Sequence, residues 1–255
     1  FKLFWKKNVK EFDKIIFSNV KRVELFKKYS KRRIRVDTIY NCLPKNYFKK
    51  FKIKKKKVKQ IFRIGTIGPG HGLINLIKSF KYLPDSYQLI ICGIVVDKKF
   101  HYDLLKVIQK NSIKNKIDIF TSVSQREWMQ KMINSDLGVA FYEPINTSHK
   151  NMVGASQKIN SYLAGGLPIL LSNQKQFRLF SQKYRCSINT NSANPFEIAK
   201  SIKKLISNKA KFIKLKRNSK LAFKNYFNFE DQIKKVNYYL WLIKIQKFLL
   251  LDIMV

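Results

Sequence analysis

Cysteine is scarce in this chain. Its three copies, Cys42, Cys92 and Cys186, are far apart, odd in number and outside any metal-ligand spacing, so the sequence supports neither a disulfide framework nor a zinc site. No metal is expected, and a reducing, cytoplasmic setting fits this cysteine usage. Carboxylates are also few, with 15 Asp and Glu against 53 Lys and Arg, for a net charge of +38. Long apolar runs are missing: none approaches the roughly 20 residues that a membrane span needs. Lys2, Lys6, Lys7 and Lys10 interrupt the apolar residues at the start, so no secretory signal is expected there. The G-x-G-x-x-G spacing is absent from the glycine-rich stretch, which argues against a nicotinamide cofactor.

What is present is the composition of a folded protein, 45% apolar and 14% aromatic over 255 residues, enough to bury one or two cores. The excess of positive charge points first to nucleic acid or an anionic membrane surface. Lysine greatly outnumbers arginine, whose planar fork suits base and phosphate recognition, and the lysines are spread along the chain among many Ile, Asn and Phe. A solvated surface with an affinity for anionic lipid is therefore expected ahead of a nucleic-acid partner. The chain starts at Phe1, and its first strand-like run, 14–18, has no partner strand before it, so a fragment is expected.

The organising stretch runs from Gly154 to Ser172. Ile159, Tyr162 and Leu163 recur at helical spacing, Gly165-Gly166 and Pro168 end the helix, and Ile169-Leu170-Leu171 has the look of a strand buried on both faces. Before the helix stand the small residues Gly154, Ala155 and Ser156, which leave its first amides, the positive end of its dipole, open to an anion. Around it strands and helices alternate. Strands are expected at 13–18, 35–39, 61–65, 87–92, 116–120, 137–141, 167–171 and 185–189. Helices are expected at 19–30, 72–82, 99–110, 124–134, 151–164, 174–182 and 195–207. The helix at 19–30 should be capped by Ser18-Asn19, with Val20, Val23 and Phe26 on its apolar face.

This succession argues for α/β architecture, a doubly wound parallel sheet whose ligand binds at the carboxyl ends of the strands. The loop Gly65-Thr66-Ile67-Gly68-Pro69-Gly70-His71-Gly72 is the first at that end, and its glycines would let amides close around a diphosphate; a tight βα turn is the alternative. Ser124 is a good N-cap for a helix containing Glu127, and Asp136 reads as the turn into its strand. Glu143 is the acidic residue at a strand end in this half, with a solvated side chain as the alternative. His149 and Lys150 could meet phosphate or water.

The run Ala155-Ser156-Gln157-Lys158…Tyr162-Leu163-Ala164-Gly165-Gly166-Leu167-Pro168 resembles the small-Pro-Asn-Lys…Glu-Tyr…Gly-x-Pro segment of the GT-B nucleotide-sugar glycosyltransferases of family 4, or group 1. The resemblance implies a Rossmann-like nucleotide-sugar-binding domain at 61–227. It also implies the end of an acceptor-side N-terminal domain at 1–44, a basic linker at 45–60 containing Lys54-Lys55-Lys56-Lys57, and a C-terminal crossing helix at 228–255. That helix would carry Trp241, Leu242, Ile245 and Phe248 on its sticky side, with a core or interfacial helix as alternatives. The donor-binding residues implied are Thr66, Gly68, Gly70, His71, Gly72, Val123, Glu143, Ser156, Gln157, Lys158 and Ser161. Thr66 and His71 stand where the family carries an Arg and a Lys on the donor diphosphate, and Val153 and Ser161 where many members carry two glutamates.

The activity implied is hexosyl transfer from a nucleoside-diphosphate sugar, the co-substrate, to a glycan or lipid-linked glycan in cell-surface polysaccharide biosynthesis, without metal or further cofactor. The cytoplasm, or the inner face of the membrane, is the place it implies. No catalytic residue is legible. The alternatives are a catalytically impaired domain that binds nucleotide sugar or a membrane surface, and a basic nucleic-acid-associated protein. If the charge is diffuse, retention on duplex DNA should collapse between low and physiological salt without sequence preference. A tight, sequence-selective complex in a filter-binding assay at physiological salt would overturn that expectation.

Overall fold

The computed structural model describes residues 14–30, 34–53 and 58–234. β1 (Lys14–Phe17), α1 (Val20–Tyr29) and β2 (Arg35–Thr38) form a small βαβ unit whose two strands pair in parallel. Asn19 starts α1 as a side-chain cap, accepting hydrogen bonds from the amides of Lys21 and Arg22. Val20 is 49% exposed, so it lies off the apolar face expected for it, beside the cap where the helix meets solvent.

Alternation then follows the expected order, and every strand is short, four to six residues. The elements are β3 (Lys59–Ile64), α2 (Leu73–Ser79), β4 (Tyr87–Cys92), α3 (Lys98–Lys110), β5 (Ile117–Phe120), α4 (Gln125–Ile133) and β6 (Leu137–Ala140). They continue with α5 (Gln157–Ala164), β7 (Ile169–Ser172), α6 (Lys175–Tyr184), β8 (Ser187–Thr190), α7 (Pro195–Ser207) and α8 (Lys209–Tyr226). The six strands β3 to β8 form one parallel sheet in the order β5-β4-β3-β6-β7-β8. Period-2 alternation sends successive side chains to opposite faces. Ile61, Leu89, Ile91 and Val139 pack with α2, α3 and α7, whereas Phe62, Ile90, Ala140 and Leu171 pack with α4, α5 and α6. Both faces are covered, and the fold is the doubly wound α/β sheet expected from the sequence.

Several expected boundaries shift. The helix expected at 151–164 begins only at Gln157, because Ser156 caps it and the preceding residues form turns around Gly154 at φ 83°. Residues 45–60 are not structureless throughout: Tyr47–Lys50 makes a 3-10 turn, and Lys59 and Gln60 already belong to β3. The lysines at 54–57 lie outside the described residues. Asp136 pairs with β3 rather than merely turning the chain, its carboxylate accepting from the Gln60 amide at 2.8 Å. The sequence reading missed α8 altogether. Its lysines obscure a narrow buried stripe, Leu215, Ser219, Ala222 and Phe223, spaced four, seven and eight residues on. Ser219 is polar within that stripe, yet its hydroxyl donates to the Leu167 carbonyl at 2.7 Å.

The chain after α8 returns to the small βαβ unit. Asn228, fully buried, donates to the Phe223 and Lys224 carbonyls that end α8 and accepts from the Asp231 amide that starts the next helical turn. The amide of Tyr40 reaches Gln232, and that of Phe229 reaches the Leu43 carbonyl. The stretch 241–251 expected on a crossing helix lies outside the described residues. Among the described residues no helix is long and apolar enough to cross a membrane.

The geometry that opens the sheet lies between β3 and β6. These strands pair only at Ile61–Leu137 and Phe62–Gly138 and then diverge. The Tyr162 hydroxyl of α5 fills the gap, accepting from the Ile64 amide and donating to the Val139 carbonyl, both at 3.1 Å. Gly138 makes room for the ring, since a Cβ there would sit 2.5 Å from it. Tyr162→Phe should therefore destabilise the fold by about 1–3 kcal/mol, the penalty for leaving buried backbone groups unpaired. Gly138→Ala should cost about as much through overpacking. Urea titration measures both, and unchanged midpoints would show that the bridge is incidental.

Candidate functional site

Where β3 and β6 part, the loops at their carboxyl ends enclose a crevice, the place where doubly wound sheets take ligands. Arg63, 2% exposed, sits inside β3 and turns its guanidinium along the exiting chain. Nη1 donates to the Gly65 carbonyl at 2.6 Å and Nη2 to that of Thr66. A buried cation thus fixes the start of the glycine loop. Gly65 adopts φ 114°, and its carbonyl runs so close to Gly93 that a Cβ on Gly93 would lie 1.8 Å away. Gly68 packs against Val96.

The far end of the loop meets the exit of β6. The Glu143 amide donates to the Gly70 carbonyl at 2.9 Å, and the Glu143 carboxylate accepts from the Gly72 amide at 3.2 Å. The start of α2, expected to be open to an anion, is thus filled by the protein's own carboxylate. Gly72 holds this cap at φ 60°. His71 lies between two rings, 5.7 Å from Tyr142 and 5.0 Å from His149, with its Nδ1 buried and unpartnered among the described residues. Burial first, then the neighbouring Lys158, Arg63 and His149, lower its pKa to about 3. His149 Nδ1 lies 3.0 Å from the Glu143 carbonyl.

The third wall is the start of α5. Ser156 caps the helix by accepting from the Ile159 amide, and its Oγ is 2.6 Å from the Tyr142 hydroxyl. Gln157 is exposed, and its amide and that of Lys158, the first two of the helix, have no acceptor within it. Lys158 is 8% exposed. Its chain passes beside Gly65, and its ammonium lies 4.4 Å from the centre of the Tyr142 ring. Burial and then Arg63 hold the Lys158 pKa well below its ordinary value.

Of the candidates named from the sequence, Thr66, Gly70, His71, Gly72, Glu143, Ser156, Gln157 and Lys158 gather around this crevice, and Gly68 lies in the same loop. Val123 is half-buried beyond β5, at the edge of the sheet. Ser161 is 1% exposed with its Oγ unpartnered among the described residues, so it is enclosed in packing rather than presented to the crevice. Sequence reasoning missed Arg63, Tyr142 and Tyr162. It also missed Gln176, which donates to the His149 carbonyl at 2.9 Å and accepts from the Met152 amide at 2.7 Å, pinning the loop after β6. Arg63 did leave a signal, a cation inside the apolar run Ile61-Phe62-Arg63-Ile64.

These buried bases have a measurable consequence. Unfolded, His71 takes a proton below pH ~6.5, whereas folded it does so only near its depressed value of about 3. Its contribution to stability is present above pH ~6.5 and is lost as the pH falls, by up to ~1.4 kcal/mol per pH unit. His71→Gln should flatten this acid limb in urea titrations at pH 7 and 5, and identical slopes in both proteins would refute it. Lys158→Met should raise the urea midpoint at neutral pH by removing a buried base.

No protein-family model matches the sequence, and no curated protein does. Solved structures do share the fold. The Anabaena Alr3699/HepE structure in complex with UDP-glucose is 14% identical, with a TM-score of 0.72 over 89% of this chain and 63% of that one. A glycosyltransferase from Rickettsia africae ESF-5 is 14% identical, with a TM-score of 0.74 over 94% of this chain and 65% of that one. An α,α-trehalose-phosphate synthase (UDP-forming) from Burkholderia vietnamiensis is 11% identical, with a TM-score of 0.68 over 91% and 60%. The chain thus spans less than two thirds of each of these proteins. The fold is the GT-B arrangement of a Rossmann-like sheet with a smaller flanking unit.

Proposed function

We propose that the crevice between β3 and β6 binds the diphosphate of a nucleoside-diphosphate sugar, and that the protein belongs to a machine transferring the sugar, a hexose, to a glycan or lipid-linked glycan. One observation carries the reading. Two buried basic side chains, Arg63 and Lys158, meet at the start of the glycine loop at the switch point of the sheet, Lys158 in the first turn of α5, and no ion pair among the described residues involves either. A site so built is short of negative charge, and a diphosphate supplies it. The Anabaena structure in complex with UDP-glucose and the UDP-forming Burkholderia synthase agree with this ligand class.

Each group then has a task. Arg63 holds the loop carbonyls inward, so the loop's amides face the crevice. Lys158 and the first amides of α5 meet the diphosphate and stabilise the charge that develops on it as the glycosyl bond breaks. Glu143 keeps the start of α2 closed, which leaves α5 as the anion-binding helix. Cell-surface polysaccharide as the product, and work at the inner face of an anionic membrane, belong to the same proposal and rest on the sequence resemblance and the net charge. A second reading, a domain that binds nucleotide sugar without transfer, is favoured by the neutral Thr66 and by Glu143 at the Gly72 amide.

Calorimetry with UDP-glucose and other nucleotide sugars tests the binding. Lys158→Ala should weaken it by about 1–3 kcal/mol, the range for a hydrogen bond to a charged group, while Lys110→Ala on α3 should change nothing. An absence of binding by every nucleotide sugar, or an unaltered Kd in Lys158→Ala, would overturn the site. Release of nucleoside diphosphate in the presence of glycan acceptors separates transfer from binding alone.

A further inference from the structure

Lys158 is enclosed by groups that cannot answer a charge. From β3 it faces Arg63 and the backbone of Gly65. From the exit of β6 it faces the ring of Tyr142, whose hydroxyl is engaged by Ser156, the cap of α5. From the glycine loop comes His71, and from the loop after β6 comes His149, stacked on His71. The carboxylate of Glu143, at the exit of β6, accepts through Oε1 from the Gly72 amide and makes no ion pair with Lys158. A ring face at 4.4 Å is a modest partner for an ammonium on a side chain largely withdrawn from water and standing near a permanent guanidinium.

We propose that Lys158 stands as an uncharged amine in the empty crevice and takes a proton from solvent when the diphosphate of a nucleotide sugar enters, so that donor binding is coupled to proton uptake. The inference rests on the donor reading above. Burial and Arg63 disfavour the charged form in the empty site, and both influences are offset once two phosphate charges arrive beside it. Uptake belongs to the pH range between the lysine's value in the empty site and its raised value in the occupied one. Within that range affinity increases as the pH falls, and below it affinity levels off. His71, with its empty-site value of about 3, can contribute a proton only on the acid side, so the two bases are separable by pH. An amine that is neutral when empty also holds no stray anion, which leaves the crevice free for a ligand bringing enough charge to change its protonation.

UDP-glucose is the suitable probe, because both of its phosphates titrate far below neutral and it supplies no proton itself. Binding heats measured at pH 8 in two buffers of different ionisation enthalpy should differ by an amount equal to about one proton taken up per ligand. The Kd should weaken by about tenfold per pH unit at the alkaline end. Lys158→Arg, which cannot lose its charge, should bind with no uptake and with a flat pH profile, whereas His71→Gln should keep the uptake at pH 8. Equal heats in the two buffers, or uptake that persists in Lys158→Arg, would overturn the inference while leaving the donor reading intact. No binding by the wild-type protein at any pH would overturn both.

Discussion

The whole site depends on one hydroxyl. A parallel sheet of this order would close over its middle if β3 and β6 kept pairing to their ends. Tyr162 stops the pairing after two residue pairs by placing its oxygen between the Ile64 amide and the Val139 carbonyl. Those two backbone groups thus stay satisfied while the strands separate. This requires a ring lying flat under the sheet, and that in turn requires Gly138, because any side chain there would occupy the ring's place. Tyr162 also belongs to the same short helix whose first turn carries Lys158. The helix that wedges the strands apart therefore aims its own positive end into the gap it makes.

From that gap the electrostatics follow. Arg63 is tolerable inside a strand because two carbonyls of the exiting loop accept its hydrogen bonds, and those carbonyls point inward because Gly65 can adopt a positive φ and Gly93 has no Cβ. Lys158 and His71 have no such compensation, and their burial opposes their charge. The fold thus carries two destabilised bases at the position where a ligand would relieve them, a common trade of stability for function.

The alternation of strands and helices was legible because most of the central strands carry a short apolar run and each βα turn carries Gly, Asn or Ser. Asn19 and Ser124 were readable as caps for the same reason, that their short side chains reach the amides two or three residues on. What escaped the sequence depends on contacts distant along the chain. Tyr162 reads as one more apolar residue of a helix until the strands it bridges are in place, and Tyr142 reads as a strand residue until Lys158 lies over it. Helix α8 escaped for another reason: seven cations in 18 residues hide a stripe only four residues wide.

Glu143 shows how a single contact reassigns a site. From the sequence, the starts of α2 and α5 both looked ready for an anion, one after a glycine loop and one after small residues with Lys158 to add charge. In the fold, α2 is only about two turns long, and the amide of its cap, Gly72, is already held by a carboxylate at 3.2 Å. A phosphate placed there would have to displace Glu143 and sit beside the negative charge it displaced. At α5 the cap is a neutral serine, the first two amides have no acceptor within the helix, and Lys158, Arg63 and His71 bring only basic groups beside it. The like-charge repulsion at one helix and the uncompensated bases at the other act in the same direction. In the proposed site they favour a diphosphate against α5 and leave the glycine loop to shape the crevice rather than to bear the charge.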